Sequence, residues 1–290
     1  MARRNNSARA SARAANSSEA AVAETTQFDP STQLAFVTPT ELVELPSQGK
    51  FYDAGHPLQN KDTVEIKYMT AKEEDILVSK TLIKKGLVLD RLVESVLIDK
   101  TVKASDLLIG DKNAVLIASR ITGYGALYET KVTCPVCLTV SDYAFDLQQS
   151  NINFGGTEDV EGVEITTNNT FVVEMPITKA SVEVKFLTGK DETKLAKMVE
   201  SKKKHRLPGA DAMITNQFKS FIVSVNGSND RTVVASFVEN MPALDSRHLR
   251  STYQKLTPNI DLTQEFACDT CSYESDMEVP LTADFFWPRA

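Results

Sequence analysis

Histidine is scarce: three residues in 290, alongside a single tryptophan. So few imidazoles leave little material for a His-rich metal centre or a His-based acid–base site. No apolar run approaches the ~18 residues that would span a membrane. The stretch from Met1 to Thr26 holds Arg and Ala but no continuous apolar segment, so it does not read as a secretory signal. No G-x-S-x-G, Walker loop, Rossmann glycine pattern or H-E-x-x-H occurs. His56, His205 and His248 have no cysteine or acid at a recognisable spacing. An enzyme is therefore not expected, nor is a small-molecule substrate. Positive charge is also in deficit. Against 39 Asp and Glu stand 32 Lys and Arg, giving a net charge of −7 and a pI near 5.2. That balance argues against a protein whose main business is coating nucleic acid.

Residues 1–27 lack aromatics entirely. Arg3, Arg4, Arg9 and Arg13 precede the first acid, Glu19. Such a stretch cannot bury enough apolar surface to offset its ordering entropy, so a disordered N-terminal arm is expected. An arm that orders on an acidic partner surface is the alternative. A mitochondrial transit peptide would have similar composition, but nothing downstream looks organellar.

What the chain does contain is an internal repeat. Val64-Glu-Ile-Lys-Tyr-Met-Thr-Ala-Lys-Glu-Glu returns as Val182-Glu-Val-Lys-Phe-Leu-Thr-Gly-Lys-Asp-Glu. Cys134-Pro-Val-Cys137 returns, at a longer offset, as Cys268-Asp-Thr-Cys271. In that second register Asp111 matches Asp245, Ser141 matches Ser275, Asp142 matches Asp276 and Leu147 matches Leu281. The second copy thus holds about sixteen extra residues between its strand and its Asp245 helix. The fold class expected is α+β, as two tandem related units. The boundaries read as an arm at 1–27, a first unit at 28–150, a linker at 151–170 and a second unit at 171–290.

Each unit has the same order. An alternating strand comes first, with Val64, Ile66 and Tyr68 apolar. Thr70 then caps a helix, with Glu73 three residues on; Thr188 and Asp191 are the equivalents. A helical region carrying Ile76, Leu77, Leu82, Ile83, Leu89, Leu92, Val93, Val96 and Leu97 follows. Another helix starts near Asp111. A strand then leads into C-x-x-C, and a second strand leads out. Leu45 to Pro57 reads as an ordered loop.

A C-x-x-C between two strands has the geometry of a metal knuckle, with two thiolates aimed at one point. Cys134, Cys137, Cys268 and Cys271 together would form a closed structural Zn2+ site, a zinc ribbon split between the units. The stretch between the pairs, Leu138 to Ala267, far exceeds the usual ribbon gap. The repeat answers this, because each copy supplies one knuckle. Three other readings compete. Four unrelated buried thiols would not repeat in register. A thioredoxin-type pair needs its first cysteine at a helix N-terminus, and the residues after Cys137 and Cys271 do not read as helix. Structural disulfides would need an oxidising compartment.

Leu45-Pro-Ser-Gln-Gly-Lys-Phe-Tyr52, Ile66-Lys-Tyr-Met-Thr-Ala-Lys-Glu-Glu-Asp-Ile-Leu77 and Lys131-Val-Thr-Cys-Pro-Val-Cys137 resemble the baseplate hub proteins of T-even-type contractile-tailed bacteriophages. Cys268-Asp-Thr-Cys-Ser272, Val279-Pro-Leu281 and Asp284-Phe-Phe-Trp-Pro288 are similar too. The resemblance covers residues 40–150 best and leaves the arm out. It implies a virion or assembly protein of the tail baseplate, built in the host cytoplasm and located in the virion. The implied partners are other phage baseplate and hub proteins, with the central spike among the candidates. A structural hub component acting by protein–protein binding is the expected function. A non-virion assembly chaperone and a zinc-ribbon nucleic-acid-binding protein are the alternatives, the latter disfavoured by the acidic charge.

Three further groupings have plain structural explanations. Lys202-Lys-Lys-His-Arg206 reads as a solvated helix end or as a contact for an acidic neighbour. Phe285, Phe286 and Trp287 either pack on the chain's own core or anchor in a neighbour. Glu73, Glu74 and Asp75 open a helix, where carboxylates suit the macrodipole.

Overall fold

The alternation in Thr63–Lys67 forms a strand with Val64 and Ile66 buried. In this computed structural model, residues 38–157, 160, 162–204, 213–279, 285 and 286 are described, with only the backbone for 202–204. The expectations for the arm, for His205 and Arg206, and for Trp287 lie outside these residues. Mixed helix and antiparallel sheet make up the fold, as expected for α+β.

Strand β1 (Thr40–Glu44) pairs antiparallel with β2 (Thr63–Lys67), and Val43 stands opposite Val64. At the end of β2 the Thr70 N–H and hydroxyl both donate to Glu73 Oε2, at 3.0 and 2.5 Å. This capping box starts α1 (Ala71–Leu77). The apolar positions that follow do not form one helix. Gly86, at φ 66°, closes α2 (Lys80–Lys85) in the left-handed conformation that glycine tolerates, and α3 (Val88–Val96) begins anew. Leu77, Leu92, Val93, Val96 and Leu97 face the core, whereas Ile83 and Leu89 are exposed. Leu97 then returns to bridge Ile66, and the Ile98 N–H donates to Glu65 O at 3.1 Å. Helix α4 (Ile109–Tyr124) leads into a hairpin of β3 (Leu127–Thr133) and β4 (Val140–Asp146). A 3-10 turn and β5 (Asn151–Asn153) follow.

The remaining strands begin with β6 (Val163–Ile165), β7 (Phe171–Glu174) and β8 (Ser181–Val184). With β9 (Ile222–Val225) they form an antiparallel sheet in the order β6-β7-β8-β9. Helices α5 (Gly189–Lys204) and α6 (Met213–Phe221) lie between β8 and β9. Helices α7 (Arg231–Asn240) and α8 (Ala243–Leu256) precede β10 (Asn259–Asp261). A second hairpin, β11 (Thr263–Ala267) with β12 (Glu274–Glu278), carries the other cysteine pair at its turn.

Several details around β1 and β2 recur around β7 and β8. Val173 stands opposite Val182, as Val43 stands opposite Val64, and the flanking residues keep the same register. Both first strands read Val-Glu-x-Pro, at Val43–Pro46 and Val173–Pro176. Lys67 Nζ sits 2.7 Å from Glu73, and Lys185 Nζ sits 2.7 Å from Asp191.

Early and late segments of the described chain are also interlocked. Strand β5 pairs with β10, placing Ile152 opposite Ile260. The Ile109 N–H donates to Leu187 O at 3.0 Å and the Gly189 N–H to Leu107 O at 2.9 Å. Lys112 on α4 reaches Asp90 at 2.6 Å and Glu192 at 2.9 Å. A single cluster of buried side chains runs from Leu45, Ile66 and Leu97 to Val182, Phe221 and Leu249. This continuity fixes the two cysteine hairpins relative to each other.

Candidate metal centre

Each C-x-x-C sits on the turn of a two-stranded ribbon, and the two turns share one backbone pattern. Cys134 N–H donates to Thr139 O at 2.9 Å, and Leu138 N–H donates to Cys134 O at 3.0 Å. Cys268 N–H donates to Tyr273 O at 2.9 Å, and Ser272 N–H donates to Cys268 O at 2.9 Å. The residue after each second cysteine is left-handed, Leu138 at φ 61° and Ser272 at φ 55°. That turn folds the second sulfur back toward the first. For a leucine the conformation carries strain, which the bracketing hydrogen bonds hold in place.

Contacts along the ribbons bring the turns together. Tyr143 Oη donates to Glu265 O at 3.0 Å, and its ring lies 5.2 Å from that of Phe266. Gln264 exchanges both its amide hydrogen bonds with the backbone of Asp146, at 2.8 and 3.2 Å. At the tip Cys134 Sγ lies 3.7 Å from Cys271 Sγ, and Cys137 Sγ lies 3.7 Å from Cys268 Sγ. All four sulfurs lie within 4.8 Å of one another. A disulfide would need about 2.05 Å, and the four are free thiols. A tetrahedral metal–thiolate centre with bonds of about 2.3 Å sets its sulfurs about 3.8 Å apart. The spacing therefore suits one metal ion. The residues after each pair are strands, so neither pair has the helix N-terminus that a thioredoxin-type nucleophile uses.

The electrostatics of the cluster point the same way. Hydrogen bonds at Thr139 hold the Cys137 thiol down at about 6. Backbone groups at Cys271 and Thr270 lower that of Cys268. A backbone hydrogen bond at Tyr273 favours the Cys271 thiolate, but burial and the three neighbouring sulfurs outweigh it and push this thiol up to about 12. Four sulfurs this close cannot all carry charge without a cation between them.

A model of the T4 bacteriophage base plate protein family matches residues 38–287. The chain belongs to this family. No curated protein and no solved structure matches the chain.

Several of the other groupings in this baseplate protein fall among the described residues. Glu73 is fully buried against Lys67, whereas Glu74 and Asp75 are exposed at the start of α1. Phe285 and Phe286 pack inward. The Phe285 ring meets Tyr128 edge-on at 5.2 Å, and its carbonyl accepts from Arg120 Nε at 2.7 Å. His56 stacks on Tyr52, with ring centroids 4.2 Å apart. Lys202–Lys204 end α5. No helix among the described residues is long and apolar enough to cross a membrane.

Sequence reasoning singled out Asp111 and Asp245 only as helix markers. Both are fully buried hydrogen-bond acceptors. The signal that would have found their role is the Val-Glu-x-Pro repeat, since the turn after each proline is what each aspartate holds.

Proposed function

We propose that this baseplate protein is a non-catalytic component of the tail hub, acting by protein–protein binding during tail assembly. Cys134, Cys137, Cys268 and Cys271 hold one structural Zn2+. The ion joins two related units, 28–150 and 171–290, connected by residues 151–170. The observation that carries this reading is the convergence of two knuckles, far apart in sequence, at tetrahedral sulfur spacing. The matching strand registers support common descent of the units.

The ion supplies positive charge that lets four thiolates coexist. A zinc site of this kind stabilises a fold by on the order of 10 kcal/mol. Cys134 and Cys268 are buried, so half of the ligand set is shielded from solvent. The ribbons then act as a rigid clasp, and the rest of the surface is free to meet neighbours. Those neighbours are other baseplate and hub proteins, the central spike among them.

The experiment is mass spectrometry of purified particles. A hub component is present at a fixed ratio to the other baseplate proteins. Its absence from complete particles, with failed tails when its gene is disrupted, would make it an assembly chaperone instead.

A further inference from the structure

Two exposed faces of opposite charge stand without partners on this chain. On α5, Lys190, Lys194 and Lys197 are exposed and follow one another at helical spacing along one side. They line a groove of about 510 Å³ together with Arg91, Glu94 and Thr193. Glu94 is already engaged by Arg91 at 3.0 Å, and Asp90, also at this groove, is engaged by Lys112 at 2.6 Å. Among the described residues no carboxylate forms an ion pair with any of the three lysines. The opposite charge is gathered on the second cysteine hairpin. Glu265, Glu274, Asp276 and Glu278 are all exposed there, and Glu265 stands directly across from Asp276. Like charges directly opposite each other destabilise a ribbon, and no cation relieves them within the described residues.

We propose that the lysine face of α5 in one copy docks on the acidic ribbon face of a second copy of this chain. Charge complementarity selects that occupant. Each copy carries one face of each sign, so copies can join with both sets of charges satisfied. At a net charge of −7, copies otherwise repel each other. A concentrated basic face is what lets them approach.

The dimensions agree. From Lys190 to Lys197 the helix advances about 11 Å, and from Glu274 to Glu278 the strand advances about 14 Å. Lysine stems easily span the difference. The neighbouring cysteine turn makes the ribbon a firm platform, but the contact does not depend on which metal the sulfurs hold. Exposed ion pairs of this kind are individually weak and screened by salt. The association therefore belongs to low ionic strength or to high local concentration.

Sedimentation velocity of the full chain over a concentration series, at about 0.05 M and about 0.5 M salt, tests the proposal. The wild type should self-associate at low salt and dissociate at high salt. A Lys190→Glu/Lys194→Glu/Lys197→Glu variant and a Glu265→Lys/Asp276→Lys/Glu278→Lys variant should each be monomeric. Their equimolar mixture should associate again, because each offers the face the other has lost. Far-UV circular dichroism confirms that both variants are folded. A wild type that stays monomeric at every concentration overturns the proposal. So does self-association that survives either reversal. If only the lysine reversal abolishes association, the lysine face takes some other acidic surface, and the ribbon is not its partner.

Discussion

Asp111 and Asp245 play matching parts at two places in the chain. Each is the third residue of its helix, each is fully buried, and each holds the turn that follows a Val-Glu-x-Pro strand. Asp111 accepts from Ser47 N–H at 2.9 Å, Ser47 Oγ at 2.5 Å and Tyr52 Oη at 2.7 Å. Asp245 accepts from Ile177 N–H at 2.8 Å, Thr178 N–H at 3.0 Å and Thr178 Oγ1 at 2.7 Å. Replacing either by alanine strands buried donors, and should cost about 2–3 kcal/mol in urea unfolding.

The two aspartates should differ in pH response. At Asp111 burial outweighs the hydrogen bonds and raises the pKa. Its folded state favours the proton, so its contribution is greatest in acid and is lost as pH rises from the ordinary carboxylate value through its raised folded-state value. At Asp245 burial is outweighed by the bonds from Ile177 and Thr178, which lower the pKa. Its contribution is present above the ordinary range and is lost as pH falls. On acidification the stability gap to Asp111→Asn should widen and the gap to Asp245→Asn should narrow. Urea unfolding between neutral and acid pH checks both slopes.

Glu73→Gln should show a loss confined to higher pH. Burial opposes ionisation of Glu73, but Lys67, Ser95 and Thr70 together hold its pKa at about 2. The variant should be about 1–3 kcal/mol less stable at neutral pH. That difference should shrink as pH falls from the ordinary glutamate value toward 2. An unchanged difference across this range would mean that packing, not charge, accounts for it.

Gly110→Ala separates helix propensity from the packing of α4 against Pro258. In an exposed helix the change would stabilise by about 1 kcal/mol. Here the new Cβ would lie 2.0 Å from Pro258 O, a backbone atom. Overlap of that size should dominate and cost about 2–3 kcal/mol. Thermal unfolding should show a lower midpoint, and a raised one would contradict the close approach.

Much of the candidate site was legible in the cysteine spacing, because a knuckle is a local turn and its residues are consecutive. The caps at Thr70 and Thr188 were legible for the same reason. The Val-Glu-x-Pro match is less legible. Its copies follow neither offset of the other repeated segments, because the connection between the paired strands is shorter in the later pair. It runs from Leu45 to Asp62 between β1 and β2 and only from Met175 to Ala180 between β7 and β8. The apolar positions from Ile76 to Leu97 pointed to a helical region but not to its breaks at Val78–Ser79 and at Gly86. The seat of Phe285 against Arg120 is a contact across 165 residues that no local pattern encodes. The pairing of β5 with β10 is equally hidden, as such short strands carry almost no periodicity.

Phe285→Ala should report on that long-range seat. It removes a buried ring that packs on Tyr128 and lies 6.0 Å from the Arg120 guanidinium carbon. A loss of about 3–5 kcal/mol in urea unfolding is expected, with metal content unchanged. A loss below about 1 kcal/mol would place the ring at the surface instead.

The most direct test of the metal clasp is zinc content by plasma emission, paired with mass in solution under high salt to keep copies apart. One ion per monomeric chain is the expected result, lost when Cys134 or Cys271 is replaced by serine. No bound zinc, or half an ion per chain in a dimer, would mean that the two knuckles do not share a cation.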